Sequence, residues 1–384
     1  MGPKPLDVDF PGPLQAGGLG DTIDLASGYP DSRLQPLALL KRGMNEAARR
    51  PATFGRLPAE GHPALRSHFA NQISGNTDST HHDVLITAGG QAALSLLFRT
   101  LSLPGDVVLM ESPTYLGAIA AARSAQLVPS PVPTDDGGID IDHLARAVLT
   151  TGANVLYLQP RFHNPTGATL APDRRPALMA LAQQHGLIVI EDDWLYDFDD
   201  PGHAPAPLAA NDPGGHVVYV RSLTKSVAPA LRIGAVASTG VIARRLRSVS
   251  GVENFFVSPI LQETALNVIT RPSWNRHLKN LRAALAERRT ICRQVLATSR
   301  SWTFSNNGGP LHCWVALPSD VSADSLRDAA LREGVSIVSG RQWHPGDQAD
   351  RHIRLSVAAV SSPQIVEGVK RLNQALGFCR SHNN

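Results

Sequence analysis

Residues Ser222 to Arg232 read SLTKSVAPALR, a stretch whose residue types can do chemistry together. The apolar run Val217-Val218-Tyr219-Val220 leads into it, and Ile233-Gly234-Ala235-Val236-Ala237 leads away. Lys225 is therefore expected where a buried strand ends, between Ser222 and Arg232. A lysine so placed suits Schiff-base formation, and a hydroxyl and a guanidinium beside it suit a phosphate. Ser and Lys in a strand-end loop are otherwise merely solvated, so the meaning of this stretch depends on its company.

That company is a set of polar residues, most of them at the ends of other apolar runs. Ala88-Gly89-Gly90-Gln91 joins a strand to a helix beginning near Gln91, where small residues let backbone amides approach an anion at a helix N-terminus. Tyr115 follows Glu111-Ser112-Pro113-Thr114, a place where a plain core aromatic would also fit. Asn164 stands in His163-Asn164-Pro165-Thr166-Gly167, and Ile190-Glu191-Asp192-Asp193 ends a further run in carboxylates. Arg354 lies in His352-Ile353-Arg354-Leu355-Ser356, and Gly28 in the turn Ser27-Gly28-Tyr29-Pro30.

Together these segments resemble the fold-type I pyridoxal-phosphate (PLP) enzymes of the aminotransferase class I/II branch. The likeness is closest to α-aminoadipate-type aminotransferases and to the aminotransferase-like domain of MocR regulators, and it spans nearly the whole chain after residue 20. The resemblance implies that Lys225 is the Schiff-base lysine and the proton shuttle. It implies a phosphate held by Gly90, Gln91, Ser222 and Arg232, a pyridine ring stacked on Tyr115, and a phenolic oxygen reached by Asn164. Asp192 is matched to the pyridine nitrogen by strand position; counting back from Tyr196 would select Asp193 instead. Tyr196 is a further expected cofactor contact, one place beyond Leu195, where relatives carry a tyrosine. Arg354 is matched to the clamp on the substrate α-carboxylate, with His344, Arg33 and Arg161 as other candidates and Gly28 approaching from the opposite side.

The same resemblance implies a homodimer in which Thr53-Phe54-Gly55 reaches the partner's cofactor, Phe54 standing where a tyrosine is usual. Trp194, Trp343 and His344 are bulky or polar at positions beside the pocket. The activity implied is transfer of an amino group from an L-amino acid to a 2-oxo acid. The alternatives are another PLP reaction on an amino acid (decarboxylation, elimination, cyclisation or oxidation) or a non-catalytic effector domain of MocR type. MocR regulators carry a winged-helix domain ahead of this unit, and the expectation from these residues is a chain without one.

These residues need a scaffold, and the hydrophobic pattern supplies one. Apolar runs at 84–87, 106–110, 126–132, 154–159, 187–191, 217–222 and 233–238 read as strands. Helical stretches at 91–101, 115–124, 140–149 and 173–185 lie between most of them. Buried strands alternating with helices predict an α/β fold, a mostly parallel sheet with helices on both faces, and ligands collect at the carboxyl ends of such strands. Before this region come a short strand at 23–25, a helix near 34–48 and another opening at Pro63. After residue 240 come two long helical stretches, 260–270 and about 273–298, and then a smaller α+β unit. That unit carries strands at 311–317, 335–339 and 353–358 and helices at 323–333 and 363–376. The expected division is an arm over 1–20, a large PLP-binding domain over 49–254, and a small domain from 21–48 and 255–384.

The chain has 384 residues, 42% hydrophobic and 18% charged, with a formal charge of +3. That balance, without a Lys/Arg run, argues against nucleic acid as a partner, and no apolar stretch reaches membrane-spanning length. Cys292, Cys313 and Cys379 lack metal-ligand spacing, and no signal peptide is visible, so the expected location is cytoplasmic.

Overall fold

The computed structural model describes residues 21–74, 82–200, 205–299, 301–304, 309–346, 348 and 350–381. The arm expected over 1–20 lies outside the described residues. The elements in chain order begin with β1 (Ile23–Asp24), α1 (Leu37–Ala48), α2 (Pro63–Ser74), β2 (Asp83–Thr87), α3 (Gly90–Leu101), β3 (Val107–Ser112) and α4 (Leu116–Ser124). Next are β4 (Val128–Asp135), β5 (Gly138–Ile139), α5 (Ile141–Thr151), β6 (Val155–Leu158), α6 (Arg174–His185), β7 (Ile188–Asp193), β8 (Val217–Ser222) and β9 (Gly234–Ser238). Then follow α7 (Gly240–Glu253), α8 (Pro259–Ile269), α9 (Pro272–Ala297), β10 (Thr303–Phe304), β11 (His312–Ala316) and α10 (Ala323–Arg332). The chain closes with β12 (Val335–Ser336), β13 (Val338–Ser339), β14 (His352–Ser356) and α11 (Ser362–Ser381).

An eight-stranded sheet, ordered β2-β9-β8-β7-β6-β3-β4-β5, forms the large unit. Its centre is parallel, β4 with β3, β3 with β6, β6 with β7 and β7 with β8, while β9, β2 and β5 join antiparallel at the flanks. The pleat sorts its side chains between two cores. Leu109, Leu156, Val189 and Tyr219 face α2, α5, α6 and α8. Met110, Tyr157, Ile190 and Val220 face α3, α4 and α7. Every residue of β8 is buried, as expected for a strand covered on both sides.

The smaller unit is a four-stranded antiparallel sheet, β10-β11-β14-β13, together with the parallel pair β1-β12. The strand expected over 335–339 is two strands: the chain leaves the β1 pairing at Ser336 and joins β14 at Val338, with Ile337 buried between them. The helix α7 was not anticipated from the pattern. Leu39 and Leu40 of α1 pack on the large sheet's core with Leu261, Ala265 and Val268 of α8, so this helix keeps company with the large unit. Its approach to α8 is close at Gly43, where a Cβ would lie 3.2 Å from both the Thr264 carbonyl oxygen and a Val268 methyl. Among the described residues no helix is long and apolar enough to cross a membrane.

Candidate active site

Lys225 is presented by a loop tied down on both sides. The Leu223 N–H donates to the Ile233 carbonyl at 3.0 Å, and Leu223, Val227 and Leu231 are buried in the large core. The lysine Nζ sits 3.4 Å from the centre of the Tyr29 ring. Burial, with the Arg354 and Arg232 guanidiniums nearby, pulls its pKa down to about 7. At neutral pH a large share of this amine is uncharged and nucleophilic.

Around it lies a cavity of about 860 Å³, its mouth included, bordered by residues from both units. One end is built for an anion. Gly89 caps α3 with φ of 87° and no side-chain cap, so the first N–H groups of the helix remain free of helical partners. That positive φ favours glycine, and a Cβ at Gly89 would come within 2.9 Å of Arg232 Nη2. Arg232 lies against the turn, donating to the Ala88 carbonyl at 3.0 Å. Gly90, Ser222 and Thr224 complete this end, the two hydroxyls 3.0 Å apart.

Asp192 also borders the cavity. Its Oδ2 accepts from Tyr157 Oη at 2.7 Å and from Gln159 Nε2 at 3.0 Å. Burial pushes its carboxyl up to about 6, against the lowering effect of those two donors. Gln159 is held elsewhere too: its Oε1 takes the Asn164 N–H at 3.0 Å, and its backbone N–H donates to Glu111 Oε2 at 2.8 Å. Burial raises Glu111 to about 8 and lowers His163 to about 3, so this neighbouring pair is mainly neutral at pH 7. Tyr115 ends its side chain on Gln91, Oη to Oε1 at 3.1 Å, while Gln91 Nε2 donates to the Gly117 carbonyl at 2.8 Å. The Gln91 amide thus steadies the tyrosine ring.

Arg354 closes the far side. Its Nη1 donates to Asn164 Oδ1 at 3.1 Å, its Nη2 donates to the Ala26 carbonyl, and its guanidinium lies 4.5 Å from the Trp343 ring centre. Burial brings its pKa to about 10, which leaves it a cation at neutral pH. A Cβ on Gly28 would be 3.8 Å from Arg354 Nη1 and 3.9 Å from Lys225 Nζ, so the backbone there sits near both cations.

The structure thus gathers Gly28, Gly90, Gln91, Tyr115, Asn164, Asp192, Ser222, Lys225, Arg232 and Arg354 around one cavity. Tyr196 is not among its lining residues. Beyond β7, Leu195 is buried with Leu281 and Leu285, and Tyr196 opens a short 3-10 turn away from the cavity. The Tyr196 ring is flanked by Arg221 at 4.5 Å and Arg161 at 5.4 Å, and those cations hold it there. Of the four candidates for a carboxylate clamp, only Arg354 lines the cavity. Arg33 pairs with Asp31, Arg161 with Asp193 and Asp199, and His344 contacts Ser112 and Asp350. Asp193 accepts from Tyr219 at 3.0 Å on the other face of the sheet. Missed from the sequence were Tyr29, Tyr157, Gln159 and Thr224. For Tyr157 and Gln159 the only signal was an apolar strand ending one residue before a proline.

This donor set fits pyridoxal phosphate. Free amides at a helix start, two hydroxyls and an arginine suit its phosphate, and a buried carboxylate with a neutral support suits a protonated ring nitrogen. A mainly uncharged lysine suits its aldehyde. The model of the family described as aminotransferase class I and II matches residues 20–372. The chain is similar to an uncharacterized HTH-type transcriptional regulator, YdcR of Escherichia coli, at 29% identity over 94% of this chain and 79% of that protein. Among solved structures it is similar to a Pyrococcus horikoshii kynurenine aminotransferase (TM-score 0.88, 26% identity, 94% and 92% of the two chains). It is also similar to LysN, the α-aminoadipate aminotransferase of Thermus thermophilus complexed with N-(5'-phosphopyridoxyl)-L-leucine (TM-score 0.86, 27% identity, 96% and 97%). With the cavity and the family model in agreement over most of its length, the chain belongs to the class I and II aminotransferases and is a pyridoxal-phosphate-dependent transferase.

Proposed function

We propose that Lys225 carries the amino-transfer chemistry, that Asp192 supports the ring nitrogen and that Arg354 holds the α-carboxylate of the incoming amino acid. The observation that carries this reading is the Lys225 amine, buried and held near pKa 7 between Arg354 and Arg232 in a single cavity. When bound, pyridoxal phosphate supplies an aldehyde carbon for an amine to attack and a ring that accepts electron density from Cα. Gly90, Ser222, Thr224 and Arg232 then hold the phosphate, while Tyr115 and Asn164 orient the ring. The Lys225 amine anchors the aldehyde carbon and moves the proton at the substrate Cα, because the neutral form of one group does both. Beyond Lys225, Arg232 and Arg354 no cation lines the cavity among the described residues, and Tyr29, Leu116, Trp194 and Trp343 form much of its wall. That lining supports an apolar or aromatic amino acid as donor rather than an acidic one.

Only the neutral lysine can add to the aldehyde. Uptake of pyridoxal phosphate by apoprotein, trapped with borohydride, should therefore rise with pH through about 7 and level off above it. Below that point it should fall about tenfold per pH unit, following the neutral fraction. The trapped adduct should map to the peptide containing residues 222–232, and an adduct on another lysine overturns the assignment.

Asp192→Asn removes a charge at nearly constant shape. Exchange of the donor Cα hydrogen with solvent deuterium should slow by on the order of 10²-fold or more, a usual loss when one preorganised electrostatic partner is removed. Asp193→Asn should leave that exchange close to wild type, since Asp193 serves Tyr219 and Arg161. The reverse pattern would exchange the roles of the two carboxylates.

Arg354 should distinguish amino acids from amines. With L-phenylalanine as donor, Arg354→Lys should raise KM about 10- to 100-fold and Arg354→Ala further, a scale set by charge-assisted hydrogen bonds. Turnover of 2-phenylethylamine should change far less. Equal losses for the two compounds make Arg354 a structural residue only, and a wild-type preference for L-glutamate contradicts the apolar donor.

The reading includes a homodimer. Phe54, 69% exposed in a short turn at 51–54, is a large apolar side chain suited to a partner surface. Sedimentation at assay concentration should report twice the chain mass, and a fully active monomer refutes it.

A further inference from the structure

Trp343 and His344 are adjacent in sequence but serve different neighbours. Trp343 is 1% exposed, borders the cavity, and lies edge-on to Trp314 with ring centres 6.3 Å apart. Its carbonyl accepts the Thr114 N–H at 2.7 Å, and Arg354 stacks on its ring. His344, 8% exposed, is not among the lining residues and makes two side-chain contacts instead. Its Nδ1 is 2.8 Å from Ser112 Oγ and its Nε2 is 2.7 Å from Asp350 Oδ2.

Asp350 is itself well supported. Its Oδ1 takes the His352 backbone N–H at 3.0 Å and contacts the His352 ring, which stacks on Trp314 at 5.1 Å. Burial works against its charge, but the hydrogen bonds from His344 and His352 hold the carboxyl well below the usual range. An ionised Asp350 only accepts, so it orients the His344 tautomer whose Nε2–H donates to it, and in that tautomer Nδ1 accepts from the Ser112 hydroxyl. Ser112 ends β3 in the large sheet, whereas His344 and Asp350 lie between β13 and β14 of the smaller one. The relay therefore bridges the two units beside the cavity, next to a second bridge from Arg123 Nη2 to the Pro345 carbonyl at 3.0 Å.

We propose that His344 is a positioning residue for substrate recognition: the Ser112–His344–Asp350 relay fixes Trp343 against Arg354, and Trp343 in turn sets the preference for donors carrying an α-carboxylate. This inference rests on the reading of Arg354 as the carboxylate clamp. A guanidinium fork pairs a carboxylate only while its plane is held, and here that plane is set by Asn164, the Ala26 carbonyl and the stacked Trp343 ring. Asp192 lies in β7 and Lys225 in the loop after β8, neither of which makes a hydrogen bond with the relay. Loss of the relay is therefore felt in substrate affinity, while the chemical step is spared.

The test uses holoenzyme with L-phenylalanine and 2-phenylethylamine as the paired donors, and hydrogen exchange at the Thr114 amide as a readout free of turnover. Ser112→Ala and His344→Leu should each raise KM for L-phenylalanine about five- to tenfold, the scale of one lost hydrogen bond, with kcat within about twofold. The amine should be unaffected, and the double variant should be no worse than either single one, because both remove the same link. His344→Asn, which keeps an amide near the Nδ1 position, should restore most of the affinity. Exchange at Thr114, whose N–H rests on the Trp343 carbonyl, should accelerate in His344→Leu and return toward wild type in His344→Asn. Additive losses, an equal loss for the amine, or unchanged Thr114 exchange overturns the proposal. A wild-type enzyme that does not use L-phenylalanine counts against the apolar-donor reading alone, since the Thr114 exchange still decides whether the relay holds Trp343.

Discussion

A lysine amine is a nucleophile at neutral pH only if its surroundings oppose its proton, and in this fold two effects do so together. Lys225 is buried, and the guanidiniums of Arg354 and Arg232 lie near enough to repel a third positive charge. Much of the remaining site follows from that arrangement. The cations that suppress the lysine charge are the groups best suited to a phosphate on one side and a carboxylate on the other. Anions bound at either place would relieve the repulsion, so proton affinity at Lys225 is linked to occupancy of both ends. The loop bearing the lysine tolerates this because Leu223, Val227 and Leu231 anchor it in the core.

The pleat of β7 separates two systems of buried charge that would otherwise interfere. Asp192 points to the face shared with Tyr157, and its supporting Gln159 is held in turn through its backbone N–H by Glu111, which lies beside His163. Asp193 points to the opposite face and joins Arg161 and Tyr219. On that second face Arg221 and Asp197 form a buried pair at 2.6 Å. Removing one member of such a pair typically costs about 3–5 kcal/mol, because an unpartnered charge is left behind. This pair and the sandwiched Tyr196 pin the chain just after the site carboxylate.

The cavity itself belongs to neither unit alone. The large sheet contributes the anion site, the lysine and Asp192, while Gly28, Tyr29, Trp343 and Arg354 arrive from the two ends of the chain. Their placement depends on contacts across the junction: Arg354 to Asn164, Thr114 to Trp343 and Ser112 to His344.

Most of the residues singled out in the sequence gather around one cavity, for a definite reason. Central strands buried on both faces appear as apolar runs, and a ligand-binding α/β sheet concentrates its polar groups where those runs stop. Gly89-Gly90, Asn164, Asp192 and the Lys225 loop are all such stops, and the strands were legible to within a few residues. Asp192, preferred from strand position, is the one of the two carboxylates that borders the cavity, because alternation allots neighbouring residues to opposite faces. What lacked a period was not legible. Tyr196 lies in an irregular turn whose direction is set by Leu195 seeking the core and by two arginines remote in sequence, Arg221 of β8 and Arg161 of the loop after β6. The Gln159 link to Asp192, the sheet switch at Ile337 and the bridge from Ser112 to His344 each join residues remote in sequence or paired with different sheets. Local residue types name the groups that can do chemistry; only the packing of one unit on the other decides which of them meet, because burial and hydrogen-bond partnership are properties of the assembled interior.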